Sequence, residues 1–210
     1  MNVFITGANG GIGNSIKSLL ISEGINVISY SSNEMDLSKE IDTSNIPILD
    51  GFIHSAGINP LSPHDKIKEE ELLNMFNINV FSFIKLCANL RFNSHSNIIA
   101  IGSFYSENSK ESRIQYSMSK HALLAAVKTI ALEKSKEFIK VNMVSPGFVD
   151  TPLTKKNNST ERIEYLKSSI PLGFTDPIQI ANMCLYLINK NHGITGQNLI
   201  VDGGYGLKHL

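Results

Sequence analysis

At 210 residues the chain is long enough to bury a full hydrophobic core, and 42% apolar with 18% charged residues describes a globular protein. Nineteen lysines and arginines balance nineteen aspartates and glutamates, which excludes the basic footprint of a nucleic-acid or acidic-membrane binder. Cys87 and Cys184 are the only cysteines, too few for a thiolate zinc centre or a disulfide framework, and no apolar run approaches the roughly 20 residues of a membrane span.

The N-terminus MNVFITGANG has neither the basic region nor the apolar run of a signal peptide, so one cytoplasmic domain over residues 1–210 is expected. Short apolar runs alternate with segments of helical period, the pattern of a parallel sheet flanked by helices. Val3 to Thr6 reads as the first strand, and Ile12, Ile16, Leu19 and Leu20 follow at helical spacing until Glu23-Gly24 stops the helix. Strands are predicted at Val27–Tyr30 and Gly51–His54, a long helix at Lys68–Phe92, and a strand at Asn97–Ile101. A helix at Tyr116–Phe138 and a strand at Val141–Ser145 come next. Asp176-Pro177 then caps a helix running to about Asn189, before a last strand at Leu199–Val201. The polar run Lys155–Arg162 reads as a mobile surface segment.

Only about twenty residues separate Tyr30 from Gly51; a parallel crossover needs a dozen or more, mostly helix, and the segment Ser31 to Met35 is far too short to be one. One strand-helix unit is therefore expected to be reduced, with Met35-Asp36-Leu37 crossing the sheet edge. The predicted fold is a Rossmann-type doubly wound α/β sheet of six to seven strands with its third unit shortened.

Two constellations carry chemistry. Gly7, Gly11 and Gly13 in Thr6-Gly7-Ala8-Asn9-Gly10-Gly11-Ile12-Gly13 lie between a strand and a helix, where such glycines allow a tight turn, an approach to pyrophosphate and close helix-strand packing. Tyr116 and Lys120 stand four apart on one helical face, so an ammonium lies on the side of a phenol. A second such pair, Tyr186 and Lys190, closes a helix beside Leu185, Leu187 and Ile188 and reads as a core-edge tyrosine with a solvated lysine. Tyr116 differs because Ser103 ends the preceding strand, at the edge where open α/β sheets bind ligands. The histidines show no metal-ligand spacing, so no metal is expected.

With these come His54-Ser55-Ala56-Gly57, Asn79, Asn142, Pro146-Gly147, Thr151, Thr195-Gly196-Gln197 and Asp202-Gly203-Gly204, in order. The set resembles the single-domain branch of the short-chain dehydrogenase/reductase family, most nearly its 3-oxoacyl-carrier-protein-reductase-like members. The resemblance implies an NAD(P)(H)-dependent oxidoreductase moving hydride between nicotinamide and a ketone or secondary alcohol. It makes Tyr116 the general acid/base, Lys120 the residue that depresses its pKa and binds the nicotinamide ribose, Ser103 the carbonyl-orienting group, and Asn79 the holder of a relay water. Gly7, Asn9, Gly11, Ile12 and Gly13 would hold the pyrophosphate. Asp36 and Leu37 would bracket adenine, and Ser55, Ala56 and Gly57 would pass beneath the adenosine ribose. Pro146, Gly147, Val149 and Thr151 would line the nicotinamide end.

His54 and Ser55 depart from the family's two asparagines, so the bracing of the central strand is expected to differ. The tip Tyr30-Ser31-Ser32-Asn33 has no carboxylate for a ribose 2′-hydroxyl and nothing to repel a phosphate, which favours NADP(H); Glu34, folding back, would favour NAD(H). A homodimer or homotetramer is expected from the apolar runs Phe81–Ile84 and Leu123–Val127. A small-molecule carbonyl or alcohol substrate is expected, with acyl thioester, sugar-derived compound and small ketone all open; the polar segment Thr151–Gly173 is expected to close over it and would suit an anionic group such as a phosphate or carrier. The alternative is a non-catalytic dinucleotide sensor on the same fold, which has no need of the tyrosine-lysine pair. Sugar-nucleotide epimerases of the longer branch need a C-terminal substrate domain.

Overall fold

The computed structural model describes residues 1–209. Six strands form one sheet: β1 (Asn2–Thr6), β2 (Asn26–Ile28), β3 (Leu49–His54), β4 (Phe92–Ile101), β5 (Lys140–Pro146) and β6 (Asn198–Val201). All neighbours are parallel, in the order β2-β1-β3-β4-β5-β6. The order reverses between β1 and β3, and in such sheets the crevice above the strand ends at that point is the ligand site.

The helices are α1 (Gly11–Ser22), α2 (Glu69–Phe76), α3 (Ser82–Asn89), α4 (Ile114–Glu133), α5 (Pro152–Lys156), α6 (Thr160–Ser169), α7 (Pro177–Lys190) and α8 (Tyr205–His209). They cover both faces because each strand sends alternate residues to opposite sides. Phe4, Phe52, Ile98 and Val141 pack against Phe83 and Leu86 of α3 and Leu123 and Val127 of α4. Val3, Ile5, Ile53, Ile99 and Val144 pack on the other face against Ile16 and Leu20 of α1 and Ile180, Cys184 and Leu187 of α7. Cys87 and Cys184 are thus buried, unpaired, in separate layers.

The shortened unit is present as expected. Residues 31–48 contain neither helix nor strand, and Met35, Leu37, Ile41 and Ile46 fold down to cover the edge of the first layer. Asp176 caps α7, accepting from Ile178 N–H while the Gln179 side chain returns to its own N–H.

Three elements differ from expectation. The second strand stops at Ile28, two residues before Tyr30, because as an edge strand it has only β1 to pair with. The helix predicted over Lys68–Phe92 is broken by a π turn at Asn77–Phe81, and the chain has already entered β4 at Phe92. Lys155–Arg162 is not a loose segment: α5 ends and α6 begins within it, the Ser159 hydroxyl accepting from Arg162 N–H. Leu166 and Ile170, spaced four apart among polar residues, anchor α6 against Tyr205, Phe104 and Phe148. Among the described residues no helix is long and apolar enough to cross a membrane.

Candidate active site

Gly7 sits at φ +68, and a β-carbon there would lie 2.6 Å from the Ala56 amide nitrogen. This turns the chain off β1 and presses it against the loop after β3. Gly10 precedes α1 without any side-chain cap, and the first turn holds no acidic residue. The free N–H groups and positive end of a 12-residue helix therefore face the crevice.

Three adjoining cavities run along the carboxyl edge of the sheet. The first, about 290 Å³, is bounded by Gly7, Asn9, Ser31, Ser32, Asp36, Leu37 and Ala56, with Tyr30, Met35 and Ile78 completing the apolar wall. The second, about 480 Å³, takes in Gly11, Ile12, Gly13, Ser55, Gly57, Lys120 and Thr151. The third, about 120 Å³, is lined by Ser103, Tyr116, Pro146, Gly147, Val149 and Thr151. All the sequence-predicted cofactor and catalytic residues except Asn79 line this trough. A dinucleotide fits it: an apolar slot at one end, an uncapped helix start in the middle, and a polar cleft at the other. Ile58, Asn59, Ile78 and Arg113 also line it and were not singled out from the sequence; only Arg113, three residues before Tyr116, had a positional signal.

Asn79 lies beneath the wall, fully buried within the π turn. Its Oδ1 accepts from Ile58 N–H at 2.9 Å, and its Nδ2 donates to the Ile58 carbonyl at 3.0 Å and to Ser119 Oγ at 3.1 Å. Ser119 in turn donates to the Tyr116 carbonyl. The side-chain amide is engaged by protein partners, and it clamps the loop after β3 to α4. Asn79→Ala would leave both Ile58 backbone groups unpaired, a loss of about 1–3 kcal/mol. Thermal melting checks it: a variant as stable as the parent would refute the clamp.

Ser103 opens a tight turn at Phe104–Ser106, accepting from Tyr105 N–H while its own N–H donates to Ser106 Oγ. Its hydroxyl lines the same cavity as the Tyr116 phenol, close enough to favour the ionised form. Burial pushes the phenol above its ordinary pKa of 10, opposed by the Ser103 hydroxyl and by the Arg113 charge. Lys120 behaves differently from expectation. Its ammonium is buried, donates to the Ile101 carbonyl at 2.8 Å and stands 5.7 Å from the centre of the Tyr116 ring. It is thus directed at the strand end, and it does not by itself make the phenol acidic. Desolvation lowers its own pKa to about 8.

His54, where the family has asparagine, is fully buried, with Nδ1 2.9 Å from Thr6 Oγ1. Desolvation, helped by the Lys120 charge, lowers its pKa to about 3, so it braces β1 against β3 as a neutral ring. At the far end Asp36 is held ionised, its pKa lowered to about 2 by hydrogen bonds from Ser38, with Lys39 adding to this. Glu34 has folded back, and its carboxylate accepts from both the N–H and the hydroxyl of Ser31.

The 3-oxoacyl-[acyl-carrier-protein] reductase FabG of Buchnera aphidicola is 33% identical to this chain, covering 96% of it and 95% of that protein. This chain belongs to the short-chain dehydrogenase/reductase family. The profile of a family described as Enoyl-(Acyl carrier protein) reductase matches residues 40–206. A diacetyl reductase [(S)-acetoin forming] of Staphylococcus epidermidis is 30% identical over 95% of this chain and 96% of its own length. Among solved structures, a short chain dehydrogenase family protein of Francisella tularensis superposes with a TM-score of 0.87 at 28% identity, covering 98% of both chains. As a short-chain dehydrogenase/reductase, the protein is an NAD(P)-dependent oxidoreductase of ketone and alcohol carbons. The non-catalytic sensor reading has no support among these relatives.

Proposed function

We propose that the protein reduces a small ketone, with Tyr116 as proton donor, Ser103 as carbonyl-orienting residue, and Lys120 and Asn79 as the groups that hold the site together. The observation that carries this reading is the Tyr116 phenol, which burial keeps protonated beside Ser103 in the smallest of the three cavities. A protonated phenol is a donor, which suits reduction. The bound nicotinamide supplies the hydride. Ser103 and Tyr116 both donate to the carbonyl oxygen, Tyr116 passing its proton as negative charge develops there. Lys120, beside Gly57 and Tyr116, hydrogen-bonds the nicotinamide ribose and adds positive charge near the developing phenolate. Gly7, Asn9, Gly11, Ile12 and Gly13 hold the pyrophosphate. Asp36, Leu37, Ser55, Ala56 and Gly57 hold the adenosine, and Pro146, Gly147, Val149 and Thr151 hold the nicotinamide end. Residues 1–210 work as one catalytic domain, and two unpaired buried thiols suit a reducing compartment such as the cytoplasm.

The uncharged strand tip favoured NADP(H); the Glu34 contact weighs the other way. It occupies both Ser31 donors and puts a carboxylate where a 2′-phosphate would come, so NAD(H) is the cofactor this arrangement serves better. Glu34→Gln is expected to raise NADPH affinity severalfold and leave NADH affinity little changed, read by fluorescence titration of both. Tighter NADPH binding by the parent would reverse the assignment.

The oligomer reading narrows. Leu123, Leu124 and Val127 belong to the protein's own core. Leu73, Phe81 and Ile84, with Ile114 and Met118 of α4, remain 40–53% exposed and form the face on which a second copy would pack. Nicotinamide oxidation with a panel of small ketones tests the activity; failure on every ketone in the presence of bound cofactor would count against it.

A further inference from the structure

The chain has only three arginines, and two of them, Arg113 and Arg162, act on the same Tyr105 hydroxyl beside the reaction pocket. Arg113 lines the 120 Å³ cavity together with Ser103 and Tyr116. It is 7% exposed, and its Nη1 is buried with no hydrogen-bond partner. Its guanidinium carbon stands 5.9 Å from the centre of the Tyr105 ring, which is itself in edge contact with the Tyr116 ring. Arg162 comes from the first turn of α6, with its Nε likewise buried and unpartnered. Arg113 and Arg162 both act electrostatically on the Tyr105 hydroxyl and on the Lys110 ammonium, so three cations share one neighbourhood. The ion pairs among the described residues are Lys39–Asp36, Lys134–Glu137, Lys155–Asp150 and Lys167–Glu164, and none involves these cations. Glu111 influences Lys110, the most solvent-exposed of the three, and does not bridge either guanidinium.

A guanidinium withdrawn from water without an anion is strongly disfavoured, and each unmade hydrogen bond adds to that. Here both guanidiniums are left with unmade donors, Arg113 in the wall of the pocket that holds the proton donor and Arg162, stacked on the Tyr165 ring, within electrostatic reach of the same Tyr105 hydroxyl. Arg presents planar paired N–H groups that match a carboxylate or phosphate. Asn157 and Asn158, also in the pocket wall, offer further amide groups, and the Asn157 amide donates to the Asn59 carbonyl, bringing α5 across the mouth.

From this we infer that the substrate is a small oxo compound bearing an anionic group, a carboxylate or a phosphate, which docks on Arg113 with Arg162 and Lys110 around it. The inference rests on the proposed reductase reading. The cavity is well below the roughly 300–1,000 Å³ usual for drug-sized ligands, so the anion lies a few bonds from the reacting carbonyl. Ser103 and Tyr116 then take the carbonyl oxygen while Arg113 fixes the other end, which orients the carbonyl face.

The test compares matched substrates: 3-oxobutanoate with its methyl ester, and dihydroxyacetone phosphate with dihydroxyacetone. The charged member of at least one pair should exceed its neutral partner in kcat/KM by about 10–100-fold, the range of a charge-assisted hydrogen bond. Arg113→Met should bring that ratio near one, and Arg162→Gln should lower it. Which pair responds distinguishes carboxylate from phosphate. A ratio unchanged in Arg113→Met would overturn the inference, including the case where both members lose rate equally because Arg113 serves Tyr116 alone.

Binding is read separately by thermal melting with malonate or inorganic phosphate, NADH being saturating so that the glycine loop is filled. The parent should be stabilised by one of these anions, and Arg113→Met and Arg162→Gln should not. No stabilisation, or equal stabilisation in the variants, would overturn it. If no ketone is reduced while the anion shift depends on Arg113, the reductase reading fails and the anion site stands. If ketones are reduced without charge preference or anion shift, the reverse holds. Should Arg113→Met fail to fold, Arg113→Lys keeps the charge without the planar fork and should lose most of the discrimination.

Discussion

Tyr116→Phe is expected to lower kcat for ketone reduction by about 10²–10⁴-fold, the usual contribution of a positioned acid. The phenol is the group that lies beside Ser103 and that burial holds in its protonated form, whereas the ring packs edge-on against Tyr105 and survives the substitution. Cofactor affinity and melting temperature should therefore change little. Steady-state rates with a cofactor titration separate these outcomes, and a variant retaining full turnover would remove Tyr116 from the mechanism. The pH profile carries the same assignment. In the proposed mechanism, reduction needs both the phenol proton and the Lys120 ammonium. The phenol keeps its proton past pH 10, but the lysine gives up its own near pH 8. Activity should thus hold below pH 8 and fall as pH rises through it, the lysine setting the alkaline limb.

Gly13→Ala is the second large effect. A β-carbon on Gly13 would collide with the Gly7 carbonyl oxygen and lie 2.8 Å from its carbonyl carbon. Both are backbone atoms of the turn that aims the α1 start at the crevice, so neither can yield without dragging the loop. A cost of about 3 kcal/mol is the scale for an insertion of this kind, lowering the melting temperature by roughly 6–12 °C. Dinucleotide binding should weaken with it. Gly24 supplies the control. Its φ is +75, but nothing lies within 4 Å of a β-carbon there, so Gly24→Ala should cost only the left-handed strain of about 1–2 kcal/mol and leave cofactor binding intact. Melting curves with and without NADH make the comparison, and a Gly13→Ala protein that melts no lower than Gly24→Ala would refute the close approach.

The features legible in the amino-acid order share one property. The glycine loop, the Tyr116–Lys120 pair and the α7 cap are each encoded within about eight residues, where spacing alone determines which groups share a turn or a face. The reduced third unit was legible too, because residues 31–48 are too few for a crossover, a further strand and a second crossover. The rest was hidden in different ways. The apolar anchors Leu166 and Ile170 are diluted by glutamate, arginine, lysine and serine, so α6 reads as loop until Tyr205 and Phe148 arrive from distant positions. The π turn that places Asn79 depends on Ile58 and Ser119, which lie 21 and 40 residues away.

The amino-acid order by itself determined the layered α/β architecture, the glycine loop and the Tyr116–Lys120 pair on one helical face, since each follows from local periodicity or spacing, whereas the role expected of Asn79 came from the family resemblance alone. Only the tertiary structure decided where the Lys120 ammonium points, that Glu34 captures Ser31, and that Arg113 lines the reaction pocket with Arg162 acting on the neighbouring Tyr105 and no acid paired to either. Those are questions of charge and solvation. They depend on which groups from remote segments exclude water from one another, and no spacing along the chain records that.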